Sequence, residues 1–243
     1  LSGPGQRITR RQLDFLREWQ YKLWHAGYLG MHWPTEFGGQ GAEPAFQSVV
    51  DMELKKHHAP IIFNTIGLNW VGPMLLDIGP LEAQQRYIKP LLTGEEIWCQ
   101  GFSEPDHGSD LGSVQTKAER DGDHYVINGS KIWTTLGNYA DHMILLARSQ
   151  PQTGRKYDGL SFFLSPMKVP GIEAHPIRQA ATSAPTTTRW RTSQPCGTGP
   201  AAVPPRTKGG CPGIPVGSGA SSDRYRGKST MPSSVVVVST EAN

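Results

Sequence analysis

Cysteine is scarce in this chain, and that scarcity removes whole classes of protein. Three occur in 243 residues, Cys99, Cys196 and Cys211, and no two stand at CxxC spacing. They compose neither a disulfide framework nor a zinc ribbon, so a reducing, cytoplasmic setting is the expectation. No apolar run approaches the roughly 20 residues of a membrane span, and no charged-then-apolar leader opens the sequence. The formal net charge of +3 is too small to argue for a nucleic-acid partner. A GxGxxG loop is missing too, which excludes the usual dinucleotide fingerprint. His57 and His58 are adjacent rather than one helical turn apart, so no metal site is expected from them. The first residue is Leu1 rather than Met, and the expectation is a piece of a longer coding sequence or a processed product.

Apolar residues run out along the chain as well. There is no Leu and no Phe after Leu164, and eight of the 20 prolines follow Ala180. Residues 181–243 hold seven Lys or Arg against two Asp or Glu, a local +5 that leaves −2 for the rest. Such a stretch buries too little apolar surface to offset the entropy of ordering it, so a disordered tail is expected, with one candidate strand at residues 235–238.

What is present comes in two styles. Residues 8–26 place Leu13, Leu16, Trp19, Leu23 and Trp24 at helical spacing, with Thr9 as a candidate cap and Gly27 as a stop. Residues 43–58 form a second helix whose expected buried set is Phe46, Val49, Val50, Met52 and Leu54. Residues 61–78 are largely apolar, and Pro80 opens a short helix carrying Leu81, Tyr87 and Ile88. Beyond about residue 113 the period drops from 3.6 to 2. Short strands are expected at 114–119, 124–127, 130–135, 142–148, 160–164 and 172–177, with turns at 121–123 and at Asn128-Gly129. The chain therefore reads as α+β: an all-helical domain over 1–98, a small antiparallel β-barrel over 99–180, and the tail.

Between the two styles lies WCQGFSEPDHGSDLGS, residues 98–113. Gly101, Ser103, Gly108, Ser109, Gly112 and Ser113 make a connection whose backbone can approach a ligand closely and offer it hydroxyl and N–H groups. A loop of this composition also suits a plain capped turn, and the flanking motifs decide against that reading.

CQGFSEPDHGSD (99–110), followed by VINGSKIWTT (126–135), resembles the acyl-CoA dehydrogenase family. WPTEFGGQG (33–41) and LLTGEEIWCQ (91–100) match it in order and spacing, and the likeness covers about residues 10–179. The resemblance implies FAD as cofactor, lying against the middle domain without a Rossmann fold. It implies that Gln100, Phe102 and Ser103 line the pyrimidine side of the flavin and that Ser109 touches both FAD and the acyl-CoA substrate. It places Trp133 on the isoalloxazine ring and Thr135 at the edge that receives hydride, with Thr134 between them. The implied reaction is oxidation of an acyl-CoA thioester to the 2,3-enoyl-CoA. Electrons would leave to electron-transfer flavoprotein, and the full-length enzymes form homo-oligomers.

That chemistry also requires a carboxylate base, which the family carries in a C-terminal helical bundle. No such bundle is readable here, and Glu241 is the one Glu after Glu173. No catalytic residue is therefore assigned, since Glu104 falls in a structural loop of the family rather than at the base position. The abrupt change of composition near residue 180 raises a reading-frame shift as an expectation. The alternative function is accordingly a non-catalytic fragment of such an enzyme.

Overall fold

The computed structural model describes residues 8–121 and 124–177, together with the backbone of three short strands at 186–191, 196–197 and 235–237. The expected turn at 121–123 reaches beyond those residues, as does most of the expected tail. Within 181–243 the three strands are what is described.

Helix α1 (Arg10–His25) starts where its sequence caps it. Thr9 Oγ1 accepts the Gln12 N–H at 3.2 Å and Gln12 Oε1 accepts the Thr9 N–H at 2.9 Å, a reciprocal capping box. Leu16, Gln20 and Leu23 face inward, and Gln20 donates to the Leu91 and Leu92 carbonyls at 3.0 Å each. That ties α1 to α4 (Leu81–Thr93), which follows Pro80 and buries Ala83, Tyr87, Ile88, Leu91 and Leu92. Between them lie α2 (Pro44–Lys56) and a π-turn at Gly67–Val71 that runs into α3 (Gly72–Ile78). A β-carbon at Gly72 would collide with the Trp33 ring, so glycine there lets the indole sink to 3% exposure.

Helix α2 corrects one expectation. It forms as its periodicity predicts, but its apolar set is not buried: Phe46, Val49 and Met52 are 54%, 51% and 62% exposed. Val50 and Leu54 are half-buried. Helical periodicity identifies the face that wants a partner; it does not supply one.

The strands are β1 (Trp98–Gly101), β2 (Lys117–Asp121), β3 (His124–Thr134), β4 (His142–Arg148), β5 (Leu160–Pro166), β6 (Ile172–Pro176), β7 (Thr186–Arg191), β8 (Cys196–Gly197) and β9 (Val235–Val237). They order as β6-β7-β3-β2-β4-β5-β9, with β1 on β4 and β8 on β3. Here the expected antiparallel barrel gives way to a mixed sheet that does not close. Strand β1 runs parallel to β4, Gln100 beside Ile144, and β9 runs parallel to β5. Strand spacing marks extended segments, while direction depends on the path between them. The long excursion through β2 and β3 lets β1 and β4 lie parallel.

Asn128-Gly129 is a second correction. The pair lies inside continuous β3, with Asn128 opposite Lys117 and the two residues in register with Arg191 and Trp190, so no reversal occurs there. A β-carbon at Gly129 would strike the Thr116 side chain, so this glycine serves a close approach rather than a turn.

Strands β4 and β5 are buried on both faces because they feed two cores. Ile144, Leu146, Leu160, Phe162 and Leu164 join Leu75, Leu91 and Trp98 under the helices. Met143, Leu145, Ala147 and Phe163 join Cys99 and Ile127 on the other side. Among the described residues no helix is long and apolar enough to cross a membrane.

Candidate functional site

The linking loop begins as sheet. Trp98 to Gly101 pair with β4, which corrects the reading of the whole 98–113 stretch as a connection. Beyond Gly101 the chain leaves the sheet, and Phe102 stacks on Phe162 with ring centroids 5.4 Å apart. Glu104 and His107 exchange backbone hydrogen bonds of 2.9 and 3.1 Å, closing a tight turn over Pro105 and Asp106.

A buried ion pair then fixes this turn to the sheet. Glu104 accepts the Gln115 N–H at 2.7 Å, the Thr116 N–H at 2.8 Å, the Thr116 hydroxyl and the Lys131 ammonium at 2.8 Å. Lys131 Nζ also donates to the Phe102 carbonyl at 3.0 Å. The two side chains are 6% and 0% exposed. Burial alone raises the Glu104 pKa, but Lys131 and the other donors outweigh it and hold the carboxyl below its ordinary value. Burial draws Lys131 down to about 8, while the charge and hydrogen bond of Glu104 pull the other way. Glu104 is thereby committed to structure. Sequence reading missed the pair, since nothing in the 27-residue separation of Glu104 and Lys131 announces it.

One residue beyond Lys131, the Ile132 N–H donates to the Ser103 carbonyl at 2.8 Å, which brings the loop and β3 together at the point of interest. Trp133 follows with its indole 51% exposed and a φ of +60°. Thr134 is fully buried, and its hydroxyl has no hydrogen-bond partner among the described residues. Thr135 is exposed again. Phe102, Ser103, Trp133 and Thr135 are thus gathered by two cross-links, Lys131 to Phe102 and Ile132 to Ser103. Gln100 is half-buried in β1. Ser109 lies exposed further along the loop, beside an Asp110 carboxylate paired with Lys156 at 2.6 Å and accepting the Ser113 hydroxyl at 2.8 Å.

The arrangement can hold a flat ring system. It offers an aromatic face at Trp133, a second ring at Phe102, hydroxyls at Ser103 and Thr135, and backbone polar groups between them. Among the described residues no group of three His, Cys, Asp or Glu side chains could hold a metal ion. In an α+β chain such a seam presents a candidate surface for a planar ligand.

Residues 4–95 match the family model for the N-terminal domain of acyl-CoA dehydrogenases, and residues 99–191 match the model for the middle domain. The chain belongs to the acyl-CoA dehydrogenase family, whose members are FAD-dependent oxidoreductases. It is similar to acyl-CoA dehydrogenase IpdE1 of Mycobacterium tuberculosis, 38% identical over 184 residues that make up 76% of this chain and 47% of that protein. It is also similar to (2S)-methylsuccinyl-CoA dehydrogenase of Cereibacter sphaeroides, 38% identical over 62% of this chain and 27% of that one. Among solved structures, the Tcur3481-Tcur3483 steroid ACAD superposes with a TM-score of 0.66 at 35% identity, covering 76% of this chain and 46% of that one. A glutaryl-CoA dehydrogenase from Mycobacterium smegmatis in complex with FADH2 gives a TM-score of 0.60 at 26% identity, covering 74% and 46%. The chain spans less than half the length of these relatives.

Proposed function

We propose that this chain forms the helical and flavin-contacting portion of an enzyme that oxidises an acyl-CoA thioester to its 2,3-enoyl-CoA. The observation that carries the reading is the half-exposed indole of Trp133, fixed beside Ser103 and followed by an open Thr135 hydroxyl. When bound, FAD supplies the hydride acceptor of the reaction. Trp133 would pack on its ring, Thr135 and Ser103 would donate or accept at its polar rim, and Phe102 and Gln100 would close one side. Ser109, on the exposed loop, would reach the cofactor and the thioester arm. Thr134 joins the set through its backbone, since its side chain faces the interior. Electron-transfer flavoprotein is the acceptor this reading assigns, and the complete enzyme would be oligomeric.

Removal of the α-proton needs a carboxylate free to accept it. Glu104, the acid of the loop motif, is saturated by four donors and is not available as that base. That observation also favours a second reading, a chain that binds flavin without turning over a thioester. A titration with FAD followed by anaerobic addition of a panel of acyl-CoA thioesters separates the cases. Binding with bleaching of the flavin supports the enzyme, and binding without bleaching supports the second reading. Absence of any bound flavin at saturating FAD removes both.

A further inference from the structure

The backbone at Trp133 is in the left-handed region, φ +60°, inside a β-strand. Any residue with a β-carbon pays for that conformation, and an aromatic one is rarely found in it. Local contacts over-determine it. Lys131 is pinned inward by Glu104 and the Phe102 carbonyl, Ile132 is bonded to Ser103, and the Thr134 carbonyl accepts the Gly137 N–H at 3.1 Å while its side chain is sealed in the core. The pairing of β3 with β7 slips between Lys131 and Thr134, the mark of a β-bulge.

The bulge has a consequence for side-chain direction. Strict alternation would put Trp133 on the same face as Lys131, which is fully buried. Instead Lys131 and Thr134 both point inward, three residues apart, and Trp133 is turned outward with Thr135. An indole on the inner face would have to share the space that the Lys131–Glu104 pair fills.

We infer that the Trp133 bulge is a strained presenting device: the fold gives up stability to hold this indole on the outer face before any planar ligand arrives. The ligand it serves rests on the flavin reading above, whereas the strain itself does not. With the indole half exposed, its removal opens little core, so stability reports mainly on the backbone.

Three substitutions test this in the full chain without FAD. In an ordinary strand glycine is less stable than alanine. Here Trp133→Gly is expected to melt at a higher temperature than Trp133→Ala, and Trp133→Asn, a residue that tolerates the left-handed region, is expected to lie between them. A Trp133→Ala midpoint equal to or above both others overturns the inference. In FAD titrations Trp133→Phe should stay within a few-fold of the parent, and Trp133→Gly should bind about tenfold more weakly despite its higher midpoint. A Trp133→Gly chain that binds FAD as tightly as the parent also overturns it, because the strain would then serve no presentation. If the parent itself fails to bind FAD, the flavin reading falls, and the order of midpoints still decides the strain.

Discussion

Glu104 and Lys131 leave water together, and each depends on the other to remain charged where it lies. Breaking a buried pair strands a charge, which costs more than the pair contributes. Lys131→Met is therefore expected to lower unfolding free energy by about 3–5 kcal/mol, measured by urea denaturation. The double change Lys131→Met with Glu104→Gln is expected to recover much of that loss, since no ion then remains to be desolvated and an amide oxygen can still accept from Thr116. If the double variant is as unstable as the sum of the singles, the two residues act independently and the clamp is wrongly described. The same pair ties the Glu104–His107 turn to β3 beside Phe102 and Ser103. Charge at this point fixes geometry.

At the scale of elements, α2 shows how periodicity and burial part company. Proline at its first turn and apolar residues at three-residue steps produce a helix, yet Phe46, Val49 and Met52 lie more than half exposed. A contiguous apolar face of this kind drives association in water. The chain is expected to self-associate with rising concentration. Replacing Val49 and Met52 together by Lys should shift sedimentation toward the monomer without altering helix content. A parent chain that sediments as a monomer throughout would show that this face carries no such tendency.

The whole molecule is joined where helices meet sheet, and His142 sits in that joint. Its ring stacks on Trp98 at 4.9 Å and meets the edge of Tyr87 at 5.3 Å, so residues of α4, β1 and β4 converge on it. Nδ1 stands 3.6 Å from Glu96 Oε2, beyond hydrogen-bond reach. Burial lowers the His142 pKa, with Arg86 and Lys168 acting in the same direction and Glu96 and Asp141 opposing. A depressed value means that the unfolded chain takes up the proton first. The contribution is therefore intact above the ordinary histidine value near 6.5 and is lost as pH falls below it. Unfolding free energy should drop between about pH 7.5 and pH 5.5, and His142→Phe should flatten that part of the profile. An unchanged slope in the variant would assign the effect to other groups.

The sequence by itself determined the elements and the family. The Thr9 cap, the Gly27 stop, the alternation in the strands and the order of four motifs are local, written in neighbouring residues, and so can be read without a fold. Family spacing also relates the loop to the Trp133 segment, and the two do adjoin through Ile132 and Ser103. Tertiary structure alone decided the rest. Parallel pairing of β1, the burial of β4 on both faces, the open face of α2 and the Glu104–Lys131 clamp depend on residues far apart in the chain. Asn128-Gly129 is the instructive case: its local preference for a hairpin yielded to a strand whose neighbours needed a position without a side chain beside Thr116. The outward turn of Trp133 belongs there too, since only the inward pinning of Lys131 and Thr134 reverses the face that alternation assigns.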